Sequence, residues 1–115
     1  MTSKTVLVVD DEPGIRDSLR DVLEDEGYAV KVAANGREAL DLVPRLPRPF
    51  AIILDLIMPV MDGVQVYETI RANPALADVP IVVSTSDPTR APKNALVLRK
   101  PVDLDRLLST IATLV

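Results

Sequence analysis

The side chains best suited to chemistry in this sequence each stand at or just past the end of an apolar run. Asp10 and Asp11 close the run Thr5 to Val9, Asp55 closes Phe50 to Leu54, Thr85 follows Ile81 to Val83, and Lys100 follows Ala95 to Leu98. If those runs lie side by side, three carboxylates converge, and like charges within about 4 to 6 Å of one another disfavour ionisation. A cation between them removes that penalty. Magnesium suits such donors, because it takes hard oxygen ligands, commonly one or two carboxylates, and keeps positions for water and phosphate oxygens. There is no histidine and no cysteine. Zinc or copper sites of imidazole and thiolate, disulfides, and catalysis by a histidine base are therefore excluded.

A carboxylate can also attack phosphorus and form an aspartyl-phosphate. In phosphoryl transfer the protein chiefly positions groups and neutralises charge on the equatorial oxygens. Magnesium can take one such oxygen, a lysine ammonium another, and a hydroxyl or backbone N–H a third. Asp55 has the chemistry of the nucleophile, Lys100 of the ammonium and Thr85 of the hydroxyl. Lys100 has a second use, since its charge favours the ionised form of Asp55.

The elements that must position these groups follow from periodicity. Thr5 to Val9 reads as a buried parallel strand, and Pro13 opens a helix whose Ile15, Leu19, Val22 and Leu23 recur at helical spacing until Gly27. Ala29 to Ala33 is a weaker strand with Lys31 in its middle, and Asn35-Gly36 reads as a turn before a short helix from Arg37 to Val43. Phe50 to Leu54 is a third strand, and Val64, Val66, Tyr67 and Ile70 predict a helix to about Ala72. Ile81 to Val83 and Ala95 to Leu98 are two more strands, and Asp103 caps a last helix bearing Leu104, Leu107, Leu108, Ile111 and Leu114. Strands alternating with helices imply an α/β fold, doubly wound around a parallel sheet, with ligands bound at the carboxyl ends of the strands.

Composition bounds the rest. The 115 residues suit one domain over 1–115, and 48% hydrophobic with 3% aromatic content predicts a core of Val, Leu, Ile and Ala. A net charge of −4 without a basic stripe argues against direct contact with nucleic acid. No segment approaches the roughly 18 apolar residues of a membrane span, and the N-terminus lacks the apolar run of a signal peptide. A soluble, cytoplasmic protein with no membrane contact is the expectation.

The motifs Val-Val-Asp10-Asp11-Glu12, Asp55-Leu-Ile-Met58-Pro59-Val-Met61-Asp62-Gly63, Pro80-Ile-Val-Val-Ser-Thr85 and Lys100-Pro101 closely resemble the receiver domains of two-component response regulators. The resemblance runs in order along nearly the whole chain. It implies a flavodoxin-like, CheY-like five-stranded sheet in the order 2-1-3-4-5, magnesium dependence, and phosphotransfer from a histidine kinase or phosphotransfer protein to Asp55. By position, Asp11 resembles the direct metal ligand and Asp10 the acid that acts largely through water. Ile57 would lend its backbone carbonyl to the metal, Thr85 and Lys100 match the phosphate-contacting pair, and Lys100-Pro101 resembles the family's cis peptide bond. Two features depart from the pattern. Val97 stands where receivers commonly place a Tyr or Phe. The segment Ser86 to Asn94 contains Pro88 and Pro92, and an interior proline costs a helix about 3 kcal/mol or more. The fourth helix is therefore expected to be shortened or absent, replaced by a loop or one irregular turn.

Taken singly, several of these residues have plainer explanations. Asp10-Asp11 could be a solvated strand end, Asp55 a turn cap, and Lys100 a surface lysine; only their conjunction points to a site. Ser84 or Ser86 could take the hydroxyl role in place of Thr85, and Asp87 could face the site or merely shape a loop. Asp62-Gly63 reads as turn chemistry, and Phe50 and Tyr67 as core. Three functions compete: a phosphorylation switch acting on an unidentified downstream protein, a pseudo-receiver that binds partners without phosphate, and a phosphohydrolase. The last ranks lowest, because such enzymes typically carry a second acid two residues after the nucleophile and here that position is Ile57. A signalling protein rather than an enzyme is expected.

Overall fold

The computed structural model describes residues 4–114. Five strands, β1 (Thr5–Val9), β2 (Ala29–Ala33), β3 (Ala51–Asp55), β4 (Ile81–Thr85) and β5 (Leu96–Arg99), form one sheet in the order β2-β1-β3-β4-β5. Every pairing is parallel. The helices are α1 (Pro13–Asp25), α2 (Gly36–Leu42), α3 (Gly63–Ala72) and α4 (Leu104–Ala112). This is the flavodoxin-like architecture expected from the sequence. No helix among the described residues is long and apolar enough to cross a membrane.

Side chains alternate across a strand, so each central strand feeds two cores. Leu7, Val9, Ile52, Leu54 and Val83 meet Ala39 of α2 and Val66 and Ile70 of α3. Val6, Val8, Ile53, Val82 and Leu98 meet Leu19 and Leu23 of α1 and Leu107 and Ile111 of α4. Full burial of one such aliphatic side chain contributes about 1.5 to 3 kcal/mol. Strands β3 and β4 are buried throughout their length, which is why they read as unbroken apolar runs, whereas β2 and β5 lie at the edges.

Side-chain caps open α2, α3 and α4, whereas α1 starts on Pro13 without one. Asp62 accepts from the N–H of Gln65 at the start of α3, and Asp103 accepts from those of Asp105 and Arg106 at the start of α4. Asn35 proves to be a cap rather than a plain turn residue. It accepts from Glu38 N–H while Glu38 accepts from Ala34 N–H, a reciprocal arrangement close to a capping box. Pro44 tightens the chain after α2 into a 3₁₀ turn over Val43–Arg45.

Between β4 and β5 the chain forms a single 3₁₀ turn, Pro88–Arg90, as its prolines require. Ala91, Ala95 and Val97 cover this part of the first core where a helix would otherwise lie. Phe50 and Tyr67 are half-buried and pack against the cores as expected, Tyr67 on the first and Phe50 on the second. Phe50 stacks on Tyr28 with Lys4 over its ring, and Tyr67 lies under Arg71.

Candidate functional site

The pleat explains how the site is assembled. Val8, Ile53, Val82 and Leu98 line one face of the sheet, and two residues further along each chain stand Asp10, Asp55, Ser84 and Lys100. The register pairs Val8 with Ile53, Asp55 with Ser84, and Ser84 with Leu98. The carboxyl end of the sheet therefore carries a polar row on top of an apolar face.

Within that row, the Lys100 ammonium lies 3.2 Å from Asp10 Oδ2 and 3.3 Å from Asp55 Oδ2. The other oxygens are held by backbone: Glu12 N–H donates to Asp10 Oδ1 at 2.9 Å, and Ile57 N–H to Asp55 Oδ1 at 3.2 Å. Asp11 completes a group of three carboxylates, one oxygen from each lying within 4.8 Å of the others. Asp10 and Asp55 are buried, at 1% and 3% exposure, so their repulsion is poorly screened. Burial, reinforced by the charge of Asp10, raises the Asp55 carboxyl to about 6 against the opposing pull of Lys100. For Lys100, burial alone would weaken proton binding, but Asp10 and Asp55 outweigh it and hold the ammonium above its ordinary value.

The donor set fits a hard divalent cation. It offers only oxygens, it carries more negative charge than one ammonium balances, and two of its three acids are withdrawn from water. Ile57 adjoins this group through its backbone, and its side chain is turned outward at 43% exposure.

The remaining candidates are placed less centrally. Thr85 is fully buried, and its hydroxyl is engaged with the backbone of Asp87, whose N–H donates to it at 3.1 Å. Asp87 accepts from Thr89 N–H and caps the 3₁₀ turn, so its carboxylate serves the loop. Ser86 is exposed, while Ser84 is buried in the row itself. The peptide bond between Lys100 and Pro101 is cis. Two further contributors are an arginine that the sequence did not single out and a glycine that it offered only as turn chemistry. Arg16 of α1 donates to the carbonyl of Asp10 at 2.8 Å and anchors the end of β1. Gly63 packs directly against the backbone of Asp55 and Leu56.

The loop from Asp55 to Gly63 carries one conformational cost. Val60 has φ 72° and is 80% exposed, so a β-branched residue occupies the left-handed region with no packing in return. That conformation costs an ordinary residue about 1 to 2 kcal/mol, and Asn tolerates it better. Val60→Asn should raise stability by about 1 kcal/mol in urea unfolding. An unchanged midpoint would show that the loop relaxes in solution.

The sequence matches the family of response regulator receiver domains over residues 6–112. With the fold and the acid–lysine group in place, that match defines the class: this chain belongs to the response regulator receiver family. Among curated relatives, it is 39% identical over 116 residues to the response regulator MprA of Mycolicibacterium vanbaalenii, covering 95% of this chain and 49% of the relative. It is 38% identical to MprA of Mycobacterium leprae, with 95% and 50% covered. The chain thus spans about half the length of these relatives. Among solved structures it resembles the chemotaxis protein CheY4 of Vibrio cholerae, with TM-score 0.87, 32% identity, and 99% and 100% of the two chains covered. A receiver protein from Pseudomonas putida superposes with TM-score 0.88 at 30% identity, over 97% and 98%.

Proposed function

We propose that this receiver is a phosphoacceptor, taking a phosphoryl group on Asp55 from a histidine kinase or phosphotransfer protein and so changing its affinity for a downstream protein in the cytoplasm. The observation that carries this reading is the shared Lys100 ammonium, bridging Asp10 and Asp55 while Asp11 completes the carboxylate group.

In the transfer, an Asp55 oxygen supplies the electron pair for the new O–P bond. The donor's P–N bond breaks, and its electron pair returns to the imidazole nitrogen. Asp55 must be ionised to attack, and Lys100 favours that form. Asp10, Asp11, Asp55 and the backbone of Ile57 would hold a magnesium ion, which would supply charge neutralisation for the transferred oxygens. Lys100, already beside Asp55 Oδ2, faces the same developing charge. Thr85 now donates its hydroxyl proton to Asp87 O at 3.4 Å, so offering that proton to a phosphoryl oxygen would mean giving up this contact with the Ser86 to Asn94 segment, while acceptance from Asp87 N–H could persist. The role is signalling rather than turnover of a small substrate. The net charge of −4 supports a protein rather than a nucleic acid as the downstream contact.

The test is incubation with acetyl phosphate, with and without magnesium, followed by mass spectrometry. One phosphoryl adduct is expected, dependent on magnesium and missing in Asp55→Asn. A folded protein that never acquires the adduct would instead be a binding module acting without phosphate. Rapid hydrolysis of many phosphomonoesters would mark a hydrolase.

A further inference from the structure

Ser84 is 1% exposed, and its hydroxyl has no hydrogen-bond partner. Buried hydroxyls are normally paired, because leaving one unpaired costs stability. Its position is equally unusual. Ser84 is the register neighbour of Asp55 and lies on the face that carries Asp10 and Lys100. In the sheet, β4 stands between β3 and β5. Lys100 follows β5 and reaches Asp55 at the end of β3 and Asp10 beyond β1, so its side chain must pass over β4, where Ser84 sits.

A lysine ammonium has three donors and needs acceptors for them. Here it uses the Oδ2 atoms of Asp10 and Asp55, two of the three carboxylates that could together hold a divalent cation. Two cations held by the same carboxylates repel, and the ammonium must give way to some degree. Neighbouring acceptors are already engaged. The carbonyl of Thr85 accepts from Lys100 N–H, that of Ser84 from Leu56 N–H, and Thr85 Oγ1 from Asp87 N–H. The Ser84 hydroxyl is free.

We propose that Ser84 is a positioning residue of this site, its hydroxyl being the acceptor to which the Lys100 ammonium turns when a divalent cation occupies the carboxylates. The hydroxyl is left unpaired in the cation-free protein and is satisfied in the loaded one, which couples cation binding to the placement of Lys100. This rests on the cation reading above and adds to it a second acceptor for the lysine.

The experiment is a magnesium titration of the full chain by calorimetry, with the Lys100 side-chain methylene followed by NMR, in wild type, Ser84→Ala and Ser84→Thr. Removing an acceptor for a charged donor should weaken magnesium binding by about tenfold in Ser84→Ala. The magnesium-induced shift of the Lys100 signal should vanish in Ser84→Ala and persist in Ser84→Thr. Without magnesium, Ser84→Ala should melt about 4 °C higher, because an unpaired buried hydroxyl has been removed. A purely packing role would not produce this opposite effect on the two states. Wild-type affinity and an unchanged Lys100 shift in Ser84→Ala would overturn the role of Ser84 and leave the cation reading standing. Failure of the wild type to bind magnesium would overturn both.

Discussion

Gly63→Ala should destabilise the protein by about 3 kcal/mol or more, as forced overpacking against rigid neighbours does. A Cβ at this position would lie 2.3 Å from the carbonyl oxygen of Asp55 and 2.6 Å from Leu56 Cα, and both obstacles are backbone. No side-chain rotation relieves them. Gly63 N–H also donates to Leu56 O at 2.7 Å, and the residue opens α3 directly after its Asp62 cap. Accommodating the methyl group therefore means moving α3 away from the chain that carries Asp55. Small domains are stable by only about 5 to 15 kcal/mol, so the loss is a large fraction of the total. Phosphorylation should fall as well, by about 100-fold if the site shifts by an ångström. Gly14 is the control. A Cβ there meets nothing within 4 Å, and Ala favours a helix over Gly by up to about 1 kcal/mol. Urea unfolding of the two variants should give opposite signs, and a Gly63→Ala protein as stable as wild type would refute the close-packing argument.

Gly63 also marks where sequence reasoning stops. Asp62-Gly63 looks like turn chemistry, and Asp62 is indeed the cap, yet the need for glycine comes from a strand end brought close only by the tertiary fold. The sheet itself was legible because β1, β3 and β4 are buried on both faces and read as short apolar runs opened by proline or closed by aspartate. The end of β4 was less so. Ser84 and Thr85 look like the start of a loop, but the parallel ladder continues through them, pairing Ser84 with Asp55 and Thr85 with Arg99. β5 begins and ends one residue later than its apolar residues suggest, at Leu96 and Arg99, as expected for a short edge strand.

The acids and the lysine were recognisable as a group because each follows an apolar run, and strand topology brings such ends together. Which hydroxyl faces them was not. A shift of one residue along a strand changes the face, so Ser84, Thr85 and Ser86 are indistinguishable until the register is known. Likewise the attachment of Thr85 to the Asp87 backbone and of Arg16 to the Asp10 carbonyl are choices of rotamer, which periodicity does not encode. The crossover between β4 and β5 was readable for a chemical reason: Pro88 and Pro92 forbid a regular helix there.

The second large effect concerns Lys100. Lys100→Met keeps the length and apolar stem of the side chain and removes its charge, leaving Asp10 and Asp55 buried without compensation. Removing one partner from a buried ion pair costs about 3 to 5 kcal/mol, most of it the penalty of the charges left behind. That penalty must depend on pH, and its sign follows from Asp55. Its carboxyl is held at about 6 in the folded protein, chiefly by burial and then by Asp10, whereas the unfolded chain returns it to the ordinary value of 3.8. The folded state thus binds the proton more tightly. The resulting stability is fully present below the unfolded value and is lost as pH rises from there through about 6. Without Lys100, which pulls this value down, the loss extends to higher pH. Unfolding in the absence of magnesium should therefore show a deficit for Lys100→Met already at pH 5, from the lost contact with Asp10, that grows to about 3 kcal/mol or more by pH 8 as Asp55 ionises. Magnesium should narrow the deficit at pH 8, since a cation bound at the same carboxylates replaces the missing ammonium and stabilises by linkage. A deficit of equal size at both pH values, unaltered by magnesium, would mean that Lys100 contributes packing alone and that the acids do not repel.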